Sequence, residues 1–217
     1  MARSIAIVSL GEGTGKTTLA LNLGLALRQL GHRVLVFDAD FTKKNMSEHL
    51  EIHDMPTHIG QVLEGDAHIN DAIYTHVTGL KIIPSMIHDY GKFSYHYQDL
   101  LGNYDYIILD TPIDLKNLEL VLSNADEAVI VHSPEHSSKQ VADAIELLSR
   151  LKILNLGIVL NRSSEDSVSS MFDHPILEKI QDHKDIKESY TLKNPVMHTH
   201  PKSPVNKKFQ RLAKRFG

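Results

Sequence analysis

The chain has 217 residues, 41% hydrophobic and 23% charged, which suits one globular domain spanning 1–217 with a full core. Lys plus Arg number 23 and Asp plus Glu 27, and the resulting net charge of −4 argues against a surface-wide nucleic-acid binder. The absence of cysteine excludes disulfides and thiolate metal sites and points to the reducing cytoplasm; no apolar run reaches the roughly 18 residues of a membrane span, and "MARSIAIVSL" lacks the features of a secretory signal.

The first strand-length run, "IAIV" (Ile5–Val8), leads into "GEGTGKTT" (Gly11–Thr18). A phosphate-binding loop needs Gly, four free residues, then Gly-Lys-Ser/Thr. Gly15, Lys16 and Thr17 supply the second half, but Leu10 stands where the first Gly belongs and an acid, Glu12, sits inside the loop. With strand, loop and helix in this order, the N–H groups of Gly13, Thr14 and Gly15 would face phosphates at a helix N-terminus. Lys16 would reach the terminal phosphates and Thr17 would ligate Mg²⁺; Gly11, Glu12 and Thr18 complete the candidate loop. Leu19, Leu23, Ala26, Leu27 and Leu30 then keep helical spacing up to Gly31, a C-terminal cap.

The second run, "VLVF" (Val34–Phe37), opens onto "FDADF". Asp38 and Asp40, two apart, can project into one site, one toward a metal-bound water and one toward an attacking water. After "LKII" (Leu80–Ile83) comes "YIIL" (Tyr106–Leu109), followed by Asp110, a candidate second partner of Mg²⁺. "AVIV" (Ala128–Val131) precedes a helix expected to open at Ser137, with Gln140 closing a capping box and Val141, Ala144, Ile145, Leu148 and Leu151 as its buried stripe. "LGIVL" (Leu156–Leu160) ends at Asn161 and Arg162; the Asn161 amide suits a purine edge, and a plain turn residue is an equal alternative. "SSEDSVSS" (Ser163–Ser170) has the composition of a mobile surface loop.

Strand-length runs apolar on both faces, alternating with helical segments, predict an α/β fold: a doubly wound, mostly parallel sheet with helices on both faces, as in P-loop NTPases. Such sheets bind ligands at the carboxyl ends of their strands, where these candidate residues fall.

Near the C-terminus, Phe209, Leu212, Ala213 and Phe216 form a short apolar stripe among Lys207, Lys208, Arg211, Lys214 and Arg215, with Ser203 and Pro204 as candidate N-cap and first helical residue. The stripe spans barely two turns, which favours a helix packed on the sheet over weak membrane association through 204–217. Among 14 histidines, His49 and His53 are four apart and His198 and His200 flank Thr199, but neither pair has a third metal ligand at a convincing spacing.

"GTGKTTLALNLGLALRQLGHRVLVFDAD", "YDYIILDTP" and "GIVLNR" together resemble the MinD/ParA family of ATPases, as do "HIGQVLEGDAHINDAIY", "GLKIIPS" and "NPVMHTHPKSPVNKKFQRLAKRF". The resemblance covers nearly the whole chain. It implies ATP or ADP with Mg²⁺ as cofactors, a nucleotide-dependent homodimer, and a role in positioning division machinery, chromosomes or other cargo through a protein regulator. It implies that Lys16 binds phosphates, Thr17 and Asp110 serve Mg²⁺, Asp40 helps activate water, and Asn161 with Arg162 borders the adenine.

The departures from the family pattern are local. The family's Gly-Lys-Gly-Gly is here Leu10, Gly11, Glu12 and Gly13, so the signature Lys that crosses the dimer is missing; the family's Gly four residues after the strand-end acid is here Asp114. One positive charge lost and two negatives gained change the loop's surroundings by −3 beside a polyphosphate. Unit charges a few ångströms apart interact by about 4 kcal/mol at an effective dielectric near 20, and about 1.4 kcal/mol is tenfold in affinity. The expectation is a weakened site that holds MgADP or MgATP without fast hydrolysis. Two alternatives are a non-catalytic scaffold of the same shape and a bacterial tyrosine kinase, which shares "GEG", "DAD" and "DTP" but ends in a tyrosine cluster; here no Tyr follows Tyr190.

Overall fold

The computed structural model describes residues 2–42, 45–53, 55–86, 90, 93–163 and 173–217. In its first half β1 (Arg3–Val8), α1 (Lys16–Gln29), β2 (Val34–Asp38), α2 (Asn45–His49), α3 (Ile59–Glu64), β3 (Tyr74–Thr75) and β4 (Lys81–Ile83) follow in order. Then come α4 (Phe93–Tyr97), β5 (Tyr106–Asp110), α5 (Leu115–Leu122), β6 (Glu127–His132), α6 (Ser138–Leu151) and β7 (Leu154–Asn161). β8 (Ile176–Ile180), α7 (Lys184–Thr191), α8 (Val196–Thr199) and α9 (Asn206–Ala213) complete the chain.

The eight strands among the described residues form one sheet in the order β3-β4-β2-β5-β1-β6-β7-β8, parallel except where β3 pairs antiparallel with β4. β1 is central, flanked by β5 and β6, so Val8, Asp38, Asp110 and Asn161 all end their strands on one edge. Side chains alternate across β1: Ala6 and Val8 enter the core beneath α3, α4, α5 and α6, while Ile5 and Ile7 enter the core beneath α1, α8 and α9. Both faces are covered, which is why the central strands read as unbroken apolar runs.

All six strands expected from the sequence are present. β3 is too short to leave a signal, and β8 is an edge strand carrying Glu178 and Lys179, so it lacks a two-faced apolar run. α1 follows its predicted stripe except at Leu30, which is the exposed C-cap, and Gly31 takes the left-handed turn beyond it. Ser137 caps α6 by accepting from Lys139 N at 3.2 Å, but the capping box does not form, because the Gln140 side chain turns toward Gly11. Leu147 joins Val141, Ala144 and Leu148 in the buried stripe of α6, while Ile145 and Leu151 pack half-buried against the same core.

α9 starts two residues later than the Ser203-Pro204 signal indicated, with Val205 as its N-cap. Phe209, Leu212, Ala213 and Phe216 are all buried in the core that α1 shares. On its polar side Arg211 and Lys208 reach Glu178 at 2.8 and 3.4 Å. The apolar stripe is therefore covered by protein and offers no face to a membrane surface. His49 ends α2 and His53 lies beyond it, so the two do not share a helix face. Of the expected surface loop, Ser163 is described and 164–170 lie outside the described residues.

Candidate functional site

The loop between β1 and α1 is built around two left-handed glycines, Gly13 at φ 68° and Gly15 at φ 94°. At Gly15 the need is double: a Cβ there would lie 2.2 Å from Asn161 Nδ2. That approach exists because Asn161 Nδ2 donates to the Thr14 carbonyl at 2.7 Å, tying the end of β7 to the loop. Gly15 N-caps α1 without a side-chain acceptor, and no acid occupies the helix's first turn. The N–H groups and positive dipole end of α1 are left facing the cleft, a ready anion site.

Thr17 Oγ1 donates to Asp110 Oδ2 at 2.5 Å. The other oxygen, Asp110 Oδ1, is buried with no hydrogen-bond partner among the described residues. Burial pushes the Asp110 carboxyl above its ordinary range; the Lys16 charge and the Thr17 hydroxyl pull it down, and Asp40 pushes it up. A hydroxyl and a carboxylate with an open buried oxygen make an oxygen-only donor set, which suits Mg²⁺ completed by water and phosphate.

Asp38, expected to face a metal-bound water, has both carboxylate oxygens engaged. Its Oδ1 accepts from Asp40 N at 3.2 Å, and its Oδ2 from Met46 N at 3.0 Å and Ser85 Oγ at 2.6 Å. Both oxygens brace the loop after β2, and burial, with the nearby Asp110 charge, pushes its pKa up. Asp40 instead lines the cleft. Its backbone is fixed by Tyr90, whose hydroxyl donates to Ala39 O at 2.9 Å and accepts from Phe41 N at 3.0 Å.

The cleft, about 520 Å³, is lined by Glu12, Lys16, Thr17, Asp40, Asp110 and Arg162, with His49, Lys187 and Tyr190 on its far wall. A smaller adjoining hollow lies between Thr18, Asn161, Arg162, Asp182 and Tyr190. Thr18 Oγ1 and Tyr190 Oη are 2.9 Å apart, and the His49 ring meets Tyr190 edge-on at 4.1 Å. Burial, with the Lys193 charge, holds His49 down to about 4.

The structure thus gathers Glu12, Gly13, Thr14, Gly15, Lys16, Thr17, Asp40, Asp110 and Arg162 around one opening. Asn161 and Thr18 face the adjoining hollow, where half of the Asn161 amide is already committed to Thr14. Arg162 pairs with Glu135 at 3.2 Å. Gly11 is buried away from the opening, with Ser9 Oγ accepting its N–H at 3.1 Å. Asp114, counted in the loop's negative balance, caps α5 by accepting from Asn117 N at 3.0 Å and Asn117 Nδ2 at 3.1 Å. The two Asn117 donors and the positive end of α5 offset part of its charge. Tyr90, Ser85 and Tyr190 carried no signal in the sequence, and His49 drew notice only for its spacing from His53, because each reaches the site from a separate segment.

A family model described as an AAA domain, AAA_31, matches residues 2–158. An ATP-binding protein of Methanocaldococcus jannaschii is 28% identical, over 98% of this chain and 87% of its own. A tyrosine-protein kinase of Streptococcus agalactiae is 32% identical over 74% of this chain and 75% of its own. Among solved structures, the septum site-determining protein MinD of Pyrococcus horikoshii, complexed with Mg-ADP, superposes with a TM-score of 0.90 at 30% identity, covering 100% of this chain and 96% of that one. MinD of Aquifex aeolicus in a MinC:MinD complex gives a TM-score of 0.86 at 28% identity, covering 99% of this chain and 96% of that one.

Proposed function

Since the chain belongs to the MinD/ParA family of P-loop ATP-binding proteins, we propose that it binds MgATP and MgADP in the cleft at the β1–α1 loop, turns ATP over slowly, and acts in spatial positioning of the division site, chromosome or other cargo. The observation that carries the nucleotide part is the Thr17–Asp110 pair, with its one open buried oxygen, at the mouth of an uncapped helix bearing Lys16.

In this reading the N–H groups of Gly13 to Lys16 hold the phosphate oxygens, and Lys16 adds a point charge. Thr17 and Asp110 would hold Mg²⁺, which when bound neutralises phosphate charge as it develops. Asp40 lies in the same opening; it orients water and accepts its proton. Arg162 and Asn161 border the base. The missing cation at Gly11 is the reason for slow turnover, since electrostatic stabilisation of the transferring phosphoryl group is the main contribution such sites make. A homodimer and a protein partner are part of the proposal on the strength of the family, in which one MinD is solved with MinC.

Calorimetric titration with ATP and ADP in Mg²⁺, beside Lys16→Ala, tests binding; phosphate release tests turnover. Binding by the parent and its loss in the variant support the site. No binding by either leaves a scaffold of the same shape. Phosphotyrosine on the chain after incubation with ATP would favour the kinase alternative. Turnover as fast as that of an ATPase carrying the signature Lys would sink the slow-hydrolysis half.

A further inference from the structure

At the far side of α7 from the cleft, three side chains that the sequence does not link converge. Asp185 lies in the first turn of α7, Glu188 follows one turn later, and His200 arrives from the end of α8. One ligand atom from each lies within 4.8 Å of the others. His200 Nε2 and Glu188 Oε2 are 3.1 Å apart, close to the separation of two ligands on one tetrahedral ion.

The surroundings match those of a ligating imidazole. The other ring nitrogen, His200 Nδ1, is 2.8 Å from Thr199 Oγ1, which fixes the ring's orientation. The His200 backbone is held by Ser203 N and Asn206 Nδ2, which donate to its carbonyl at 2.9 and 2.8 Å. A second imidazole, His183, caps α7 with Nδ1 3.5 Å from Asp185 Oδ2. The Ser203 hydroxyl, on a residue only 7% exposed, faces Asp185 and helps to orient its carboxylate. A hydroxyl held on a carboxylate in this way is the kind of outer partner that orients a metal-ligating group.

We propose that Asp185, Glu188 and His200 form a binding site for a divalent transition-metal ion, Zn²⁺ above all. Imidazole with two carboxylates is a donor set for Zn²⁺ rather than for Mg²⁺ or Ca²⁺, which take oxygen alone. A solvent molecule fills the fourth position. The ion ties the start of α7 to the turn that leads into α9. α7 also carries Lys187 and Tyr190, which line the nucleotide cleft, so the ion stiffens one wall of that cleft.

The test is titration of the intact protein with Co²⁺ in excess Mg²⁺, followed by visible absorption, with Zn²⁺ as competitor and thermal unfolding as second readout. One equivalent of Co²⁺ is expected to give a ligand-field band that Zn²⁺ displaces, with a Kd below about 10 μM and a rise in Tm. His200→Ala and Glu188→Gln should each weaken Co²⁺ binding more than about tenfold, while His53→Ala, at an exposed unrelated histidine, should leave it unchanged. Glu188→Gln keeps a side chain able to bond His200, so it decides the matter if His200→Ala fails to fold. Absence of saturable binding in the parent, or parental affinity in a folded Glu188→Gln, overturns the proposal.

Discussion

The His136 ring stands where a side chain at Gly11 would begin: a Cβ on Gly11 would lie 2.8 Å from His136 Nδ1 and 2.9 Å from Gln140 Oε1. This position is the one that holds a signature lysine in the family the chain resembles. The backbone at Gly11 is not left-handed, so the obstacle is the neighbour and not the conformation. Gly11→Lys is therefore expected to displace the half-buried His136 and Gln140 side chains at a cost of about 1 kcal/mol and to leave phosphate release unimproved. Adding His136→Ala should recover most of the lost Tm. A parental Tm for Gly11→Lys alone would refute the obstruction.

Asp110 predicts a proton linkage. Its carboxyl is raised by burial, so Mg²⁺ must compete with a proton as the solution becomes mildly acidic. MgADP affinity should fall as pH drops through about 6, and binding in that range should release a proton, read as calorimetric heats that differ between buffers of different ionisation enthalpy. Asp110→Asn should abolish both the release and the Mg²⁺ dependence. For the metal-free fold the sign is opposite. Asp38 and Asp110 are raised acids, so the stability they contribute is present below the unfolded carboxyl range and is lost as pH rises through their folded values.

His49 predicts acid sensitivity of one wall of the cleft. Burial lowers its folded pKa from 6.5 to about 4, so the unfolded chain takes up the proton first. Its contribution is full above about pH 6.5 and is lost as pH falls toward 4, amounting to about 3 kcal/mol. His49→Phe, which keeps a ring against Tyr190, should flatten the fall of Tm between pH about 6.5 and about 4.5 relative to the parent. An unchanged slope would place the sensitivity elsewhere.

The buried stripe of α9 predicts a structural tail. Phe209 is 1% exposed, and Phe209→Ala should cost about 3–5 kcal/mol. The intact chain should stay with the soluble fraction in flotation with anionic liposomes, and one cut after Lys202 should lose stability rather than membrane affinity. Flotation of the folded parent would show that the stripe can leave the core.

The central strands were legible because two covered faces demand apolar residues at every position, and Lys16, Thr17 and Asp110 because their chemistry follows directly on those strands. What stayed hidden depends on distance. Nothing local tells that Asp38 braces a loop through Ser85, that Asp114 turns into the cap of α5, or that Gln140 leaves its own helix end to cover Gly11. His200 sits 15 positions from Asp185, and no spacing rule joins a helix start to the end of the next short helix. Resemblance to the family names roles for the loop residues; the structure adds that both Asp38 oxygens accept hydrogen bonds within the loop after β2 and that Asn161 Nδ2 donates to Thr14.

The chain closes on itself at the amino ends of its strands. Arg3 pairs with Glu127 and also donates to the Phe216 carbonyl, which Tyr106 Oη reaches at 2.5 Å. Glu12, Lys16 and Asp110 open at the other pole, a strand length of roughly 17–20 Å away. A tether or fluorophore joined at Gly217 would hang from the underside of the sheet. It would stand a strand length away from the opening lined by Glu12, Lys16 and Asp110.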